Sequence, residues 1–428
     1  MKTRMLFPYI LLLLVLPMLL GCLGKGSDSS SVSTQSTVRL VNATNDYGPL
    51  NLSSSGTALA TGIAYGSASA YSTLNSGSTS FTLESNGSGN TLAQTTIALD
   101  QSVDYTLVAL TVAQQVQVRS YADNEAVPAS GYGKLRVANL SADAGSVDVY
   151  VSEISTSLSA AAALTTYVNG TTSYFSIAKG TYQIRITGAG DKTDLRLDIP
   201  SITISDQQVL TLILTSAIGG GLVDGFLVTQ KGNVSAQKNS SARVRLVANI
   251  TSNGSIDATV NEVSLASNQR SPVVGSYTLV PAGPLAMTVR VNGNPVNANG
   301  LIAEAGADLT LLVLGEAAAP QFLLLNDHNK KLSASGMATL SLVNGINGFS
   351  DNIALTADYS LVANNVAPGT ASAAANVSDS ISRLEVNSSQ ANNSLYLATN
   401  LSLQPSGVYS LFMLGNAASP VGILRRNR

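Results

Sequence analysis

Residues 134–151 read Lys-Leu-Arg-Val-Ala-Asn-Leu-Ser-Ala-Asp-Ala-Gly-Ser-Val-Asp-Val-Tyr-Val, and two β-strands are legible in them. The first is an apolar strand that closes on Asn139. The second, Val147-Asp148-Val149-Tyr150-Val151, alternates. A period of two puts successive side chains on opposite faces of a sheet. The alternation recurs in Tyr182-Gln183-Ile184-Arg185-Ile186-Thr187, Leu195-Arg196-Leu197-Asp198-Ile199 and Met287-Thr288-Val289-Arg290-Val291. Short strands divided by Gly, Asn and Ser turns predict antiparallel sheets packed face to face.

The opening strand is repeated. Val38-Arg39-Leu40-Val41-Asn42, Leu135-Arg136-Val137-Ala138-Asn139, Arg245-Leu246-Val247-Ala248-Asn249 and Leu340-Ser341-Leu342-Val343-Asn344 share one pattern. Each is followed by a late strand ending on Leu110, Leu214, Leu314 or Leu414. A period near 100 residues is that of a domain, not of a solenoid turn of roughly 20–50. The expected architecture is all-β: four tandem antiparallel β-sandwich (immunoglobulin-like) domains over 37–132, 133–240, 241–335 and 336–428. The late strands, apolar on both faces, belong at sheet centres. Ser159–Thr166 reads as a loop rather than a turn of helix.

Residues 134–151, with Tyr167, Tyr174 and Ala178-Lys179-Gly180-Thr181-Tyr182, resemble the bacterial "domain of unknown function 4397" family. Its members open Val-Arg-Val-x-His-Ala-Ser-Pro-Asp-Ala-Pro-x-Val-Asp-Val-Tyr. The second copy fits best. The first keeps Ala64-Tyr65-Gly66 and Tyr71, the third keeps Ser255–Val260 and Pro281-Ala282-Gly283, and the fourth is the most diverged. Asn139 stands at the family's His, and the Ser-Pro is not kept. The resemblance implies an envelope-associated β-sandwich and no agreed activity.

The start of the chain resembles a lipoprotein signal peptide. Lys2 and Arg4 precede an apolar run, Met5 to Leu20, that ends in Leu19-Leu20-Gly21-Cys22. The run is about 16 residues, against roughly 20 for a spanning helix. Residues 1–21 read as the leader and 22–36 as lipidated Cys22 plus a Ser-rich tether too polar to fold. In this motif Cys22 carries the lipid, and two or more acyl chains hold stably. Leu23, not Asp, follows it, which in Gram-negative lipoproteins accompanies passage to the outer membrane. An uncleaved membrane anchor is the alternative.

Charged residues are 11% of the chain, and loss of Lys2 and Arg4 with the leader takes the formal charge from −2 to −4. No basic patch for nucleic acid is present. Cys22 is the one cysteine, so no disulfide staples the domains, and Trp is absent. His328 is the single His and lacks visible partners. No nucleophile elbow, metalloprotease motif, Cys cluster or phosphate loop occurs. Gly219-Gly220-Gly221 reads as a turn. Asp191, Asp194 and Asp198 are the acids from which a glycosidase pair would be drawn, and a solvated sheet face explains them as well. Asp123-Asn124-Glu125 and Asn326-Asp327-His328-Asn329, at matching ends of copies one and three, offer oxygens to calcium or form Asx turns. The sequons at Asn42 and Asn249 read as chance. No catalytic, cofactor or metal residue is named, and no cofactor is expected. The expected function is a non-enzymatic binding or structural module, membrane-attached through Cys22, with a protein or glycan partner. A polysaccharide hydrolase using paired carboxylates and a plain spacer are the alternatives.

Overall fold

A computed structural model of the chain describes residues 34–331, 336–388 and 394–428. Cys22 and the leader lie outside the described residues. The described chain is strand-rich, and no helix in it is long and apolar enough to cross a membrane. The first copy holds β1 (Gln35–Ala43), β2 (Leu50–Ser54), β3 (Thr57–Ile63), β4 (Ser72–Asn75), β5 (Gly77–Ser85), β6 (Thr91–Leu99), β7 (Asp104–Val112) and β8 (Gln115–Ala122). They form two sheets, ordered β4-β1-β7-β8 and β3-β2-β5-β6. Alternation in β1 sends Val38 and Leu40 between the sheets, where they meet Leu52, Phe81, Leu83 and Leu107. The later copies repeat this sandwich-like plan around their own buried clusters.

One sheet of each copy is antiparallel throughout. The other departs from the expected all-antiparallel pairing. β1 runs parallel to β7, with Thr37 opposite Asp104 and Ala43 opposite Leu110. The opening and late strands of the other copies are parallel too. A parallel pair needs a crossover of a dozen or more residues. The excursion through β2–β6 supplies it, and period-two alternation carries no information about strand direction. A second departure is local: within Ser159–Thr166 the chain enters a strand, Ala163–Val168, that edges Val147–Ser152. Thr165 and Thr166 favour extended backbone, Tyr167 breaks it with φ +53°, and an edge position asks for only one partner.

The closing Asn of the opening strand has a structural cause. Asn42 Nδ2 donates to the Ile63 carbonyl at 2.9 Å, Asn139 to Val168 at 3.0 Å and Asn344 to Val366 at 3.0 Å. A buried amide thus ties the first sheet to the last residue of a strand in the second. Asn42 is fully buried, which closes its sequon to modification.

The outer faces of the parallel-pair sheets are apolar as well, and they pack against each other. Val41, Ala43 and Val108 of the first copy join Ala138, Ile213, Phe226 and Val228 of the second in one buried cluster. Val247, Leu312 and Leu314 of the third meet Val343, Phe412 and Leu414 of the fourth. The copies are therefore stacked in two back-to-back pairs. Burial of Phe226 alone contributes roughly 1.5–3 kcal/mol.

The two pairs meet at Gly219–Gly221. The Gly219 N–H donates to the Gly306 carbonyl at 2.9 Å, and the Asn329 N–H donates to the Gly219 carbonyl at 3.1 Å. The Gly221 N–H donates to Asp308 Oδ2 at 3.1 Å. A Cβ on Gly219 would overlap the Asp308 backbone nitrogen, and Gly220 has φ +86° with backbone of Asn329 and Lys330 against it. Gly219→Ala is expected to cost about 1–3 kcal/mol by overpacking and to loosen the docking. Small-angle scattering should show a larger radius of gyration and a thermal scan a lower Tm. An unchanged profile and Tm would contradict the docking described.

Candidate functional site

Strand register places one polar pair at the same point of every copy: Arg39 opposite Thr106, Arg136 opposite Thr211, Arg245 opposite Thr310, and Ser341 opposite Ser410. The three Arg Nε atoms each donate to the Thr hydroxyl at 2.8 Å, and the two Ser oxygens lie 2.9 Å apart. In the first and third copies the Thr donates onward to Asp123 or Asp327 at 2.6 Å. Each of these carboxylates also accepts a Tyr hydroxyl at 2.6 Å, from Tyr71 or Tyr277. Burial raises the pKa of Asp327 against the lowering effect of Arg245, whose guanidinium is 3.3 Å away. At the corresponding turn the second copy has Gln230 and the fourth has Asn427. The acids that the sequence offered to calcium are thus held inside the protein by Thr, Tyr and Arg. Glu125 is paired with Lys134. Among the described residues no group of three His, Cys, Asp or Glu side chains is placed to hold a metal.

These arginines also reach across the pair. Arg39 donates to the Gly232 carbonyl and, at 3.0 Å, to the Thr229 carbonyl of the second copy. Arg245 donates to Asn427 Oδ1 at 2.6 Å in the fourth. Arg136 lies over the rings of Tyr121 and Tyr174, at 4.9 and 4.7 Å. Tyr65 of the first copy donates to Asp224 of the second at 2.6 Å and meets the Phe226 ring edge-on.

Where the pairs dock, a crevice of about 220 Å³ opens between Arg196 and Gly221 of the second copy, Arg243 and Lys331 of the third, and Arg428 at the chain end. Arg196 pairs with Asp194 at 2.5 Å, and Arg243 makes two bonds to Asp308 at 2.7 and 2.6 Å. Arg428 donates only to backbone carbonyls, those of Gly220 and Asp143. The Lys331 ammonium makes no hydrogen bond or ion pair among the described residues, and only its backbone N–H reaches Asp143, at 2.5 Å. Burial, then Arg243 and Arg196, push Arg428 down to about 10 against the pull of Asp143. Burial, Arg428, Arg196 and Arg426 lower Lys331 in the same way, again against Asp143. A larger groove of about 780 Å³ is lined by Tyr47, Gln114, Ile218, His328, Lys330 and Ala373. Lys330 itself is tied to Asp46 at 2.5 Å.

Residues 36–150 and 242–350, together just over half of the 428, match the family described as Domain of unknown function (DUF4397). The chain belongs to this family. The two DUF4397 stretches begin at the first and third opening strands, one in each back-to-back pair, and they carry the two Arg–Thr–Asp–Tyr networks. Tyr167, Tyr174 and residues 178–182, which resemble the family pattern, fall outside the matched stretches. No curated protein matches the chain significantly.

Among solved structures, the Bacillus anthracis TIE protein is similar over 86% of this chain and 65% of its own, at 9% identity and TM-score 0.15. The chain thus spans 65% of that protein's length. A family CBM26 module from Eubacterium rectale, solved with maltoheptaose, matches over 47% of this chain and 95% of its own at 10% identity and TM-score 0.15. The pilus adhesin SpaC from Lactobacillus rhamnosus GG matches over 68% of this chain and 43% of its own, at 12% identity and TM-score 0.13. Overlap this slight establishes no shared function.

The acids considered for hydrolysis do not converge. Asp191 accepts from Thr193 at 2.8 and 2.6 Å, Asp194 holds Arg196, and Asp198 accepts from Gln183 at 2.7 Å. Asp194 and Asp198 are four residues apart on one strand, about 13 Å at the extended rise. His328 is exposed, on the wall of the larger groove. Gly219–Gly221 is a docking loop rather than a free turn. Sequence reading missed the crevice because its cations come from three copies.

Asp224 provides a pH test of the pairing. Burial pushes its carboxyl up, against the Asn239 N–H and the Tyr65 hydroxyl. An unfolded Asp titrates near about 3.9. Above that value the native state still holds a proton that the unfolded chain has released, so this group's contribution to stability falls as pH rises. Asp224→Asn removes that slope. Urea midpoints from about pH 4 upward should shift progressively in the variant's favour relative to wild type until Asp224 is fully ionised. Parallel pH curves would contradict the raised carboxyl.

Proposed function

We propose that the protein is a lipoprotein attached to the outer membrane through Cys22, acting without catalysis as a rigid binding or structural module. Four immunoglobulin-like β-sandwich domains, over 37–132, 133–240, 241–335 and 336–428, would form it behind the leader (1–21) and tether (22–36). The observation that carries the reading is where the polar groups go. Asp123, Asp224, Asp308 and Asp327 are buried and hydrogen-bonded within or between copies. Such groups fix geometry and are closed to substrate. A hydrolase of the glycosidase kind needs two free carboxyls roughly 5–10 Å apart, and Asp191, Asp194 and Asp198 each have a separate partner.

Face-to-face pairing also speaks against a long spacer. Four sheets stacked about 10 Å apart make a thick pair, not an extended string. The tether adds a root-mean-square reach of about 20 Å. A protein or glycan partner in the envelope, at the surface or in the periplasm, fits a compact body held close to the membrane. Nucleic acid is not an expected partner.

The test is fractionation with Cys22→Ala beside wild type. Wild type should sediment with membranes and resist high salt, since two acyl chains hold stably. Cys22→Ala should leave the membrane fraction. A variant that stays bound as wild type does would refute the anchor.

A further inference from the structure

We propose that the crevice at the docking point of the two pairs is an oxyanion site for a phosphate group. The proposal is independent of the anchor at Cys22, because it rests on the geometry of the described residues alone. Two cations there lack a carboxylate partner of their own. The Lys331 ammonium has no partner among the described residues, and the two hydrogen bonds of the Arg428 guanidinium end on neutral carbonyls. Arg196 and Arg243 stand on the same walls, each already balanced by an acid. Asp143 accepts the Lys331 backbone N–H, and with Asp194 and Asp308 it sets three carboxylates against the four cations of the cleft.

Unpaired cations held close together in a partly buried place repel each other, and a bound anion relieves that. Guanidinium forks and an ammonium suit phosphate, the first by shape and the second as a point charge. The opening of about 220 Å³ is below the roughly 300–1,000 Å³ of drug-sized sites. That is room for one phosphate group with a few waters or part of a sugar. The cleft exists only when the pairs are docked, since its walls come from both sides of Gly219–Gly221.

The test is isothermal titration of the full-length, detergent-purified protein at low salt with inorganic phosphate, a hexose phosphate and the neutral hexose. Wild type should bind phosphate saturably, one per chain. Lys331→Gln should weaken it at least about tenfold, the loss expected for a charged hydrogen bond. Lys331→Arg should restore most of the binding, and Lys179→Gln, on an exposed turn, should change nothing. Equal melting temperatures for the three variants and wild type show that folding is not the cause. Tighter binding of the hexose phosphate assigns the site to phosphate carried on a glycan, and equal binding assigns it to free phosphate. Absence of saturable binding, equal losses in Lys331→Gln and Lys179→Gln, or neutral hexose binding as well as its phosphate would each overturn the site.

Discussion

A strand that is apolar on both faces needs cover on both sides, and this chain has one at the centre of each copy. Leu107 and Leu212 face their own sandwich cores, while Val108 and Ile213 face the neighbouring copy. Leu311 and Leu312, and Leu411 and Phe412, divide in the same way. Water on the outer face would expose a patch of β-branched and aromatic side chains, which soluble surfaces seldom carry. Stacking copies in pairs removes it. The docking of one pair on the other, the closed networks and the crevice all follow from that arrangement.

Within the apolar seam every copy has a polar cross-strand pair at the same register position. Buried arginine is costly unless its donors are met. Here Thr hydroxyls, Tyr π-faces and oxygens of the next copy meet most of them, and the Arg245 Nη2, without a hydrogen bond, faces Asp327 at 3.3 Å, so the guanidinium fixes the register of the pair as well as its own strands. The fourth copy uses Ser341 and Ser410 instead, and Asn427 donates to Ser410 at 2.9 Å. Its polar group is smaller and neutral, which lets Phe412 fill the space under Arg245 at 4.8 Å. The DUF4397 matches at 36–150 and 242–350 pick out the members of each pair with the full Asp-containing network.

Period-two alternation made the strands, the repeat and the sandwich cores legible, because Val147, Val149, Ile184 and Ile186 follow only one rule: inward residues are apolar. Central placement of the late strands was legible from their two apolar faces. What covered the second face was not, since Val108 meets Phe226 across more than a hundred residues of sequence. Strand direction was invisible for the same reason that alternation is informative: a strand reads the same in either direction. The terminal Asn was visible as a pattern, but its bridge to the second sheet needed coordinates. The crevice was the least legible feature. Arg196, Arg243, Lys331 and Arg428 have no common spacing, and only docking brings them together.

The most direct test of the pairing is hydrogen exchange by mass spectrometry on Phe226→Ala. The side chain is fully buried in the seam, and truncation there costs roughly 3–5 kcal/mol. If the first two copies stabilise each other through that face, amide protection falls in β1 and β7 as well as in Tyr132–Asn139 and Val209–Ser216. Loss of protection confined to 133–240, with β1 and β7 as protected as in wild type, would contradict the shared seam and the stacking built on it.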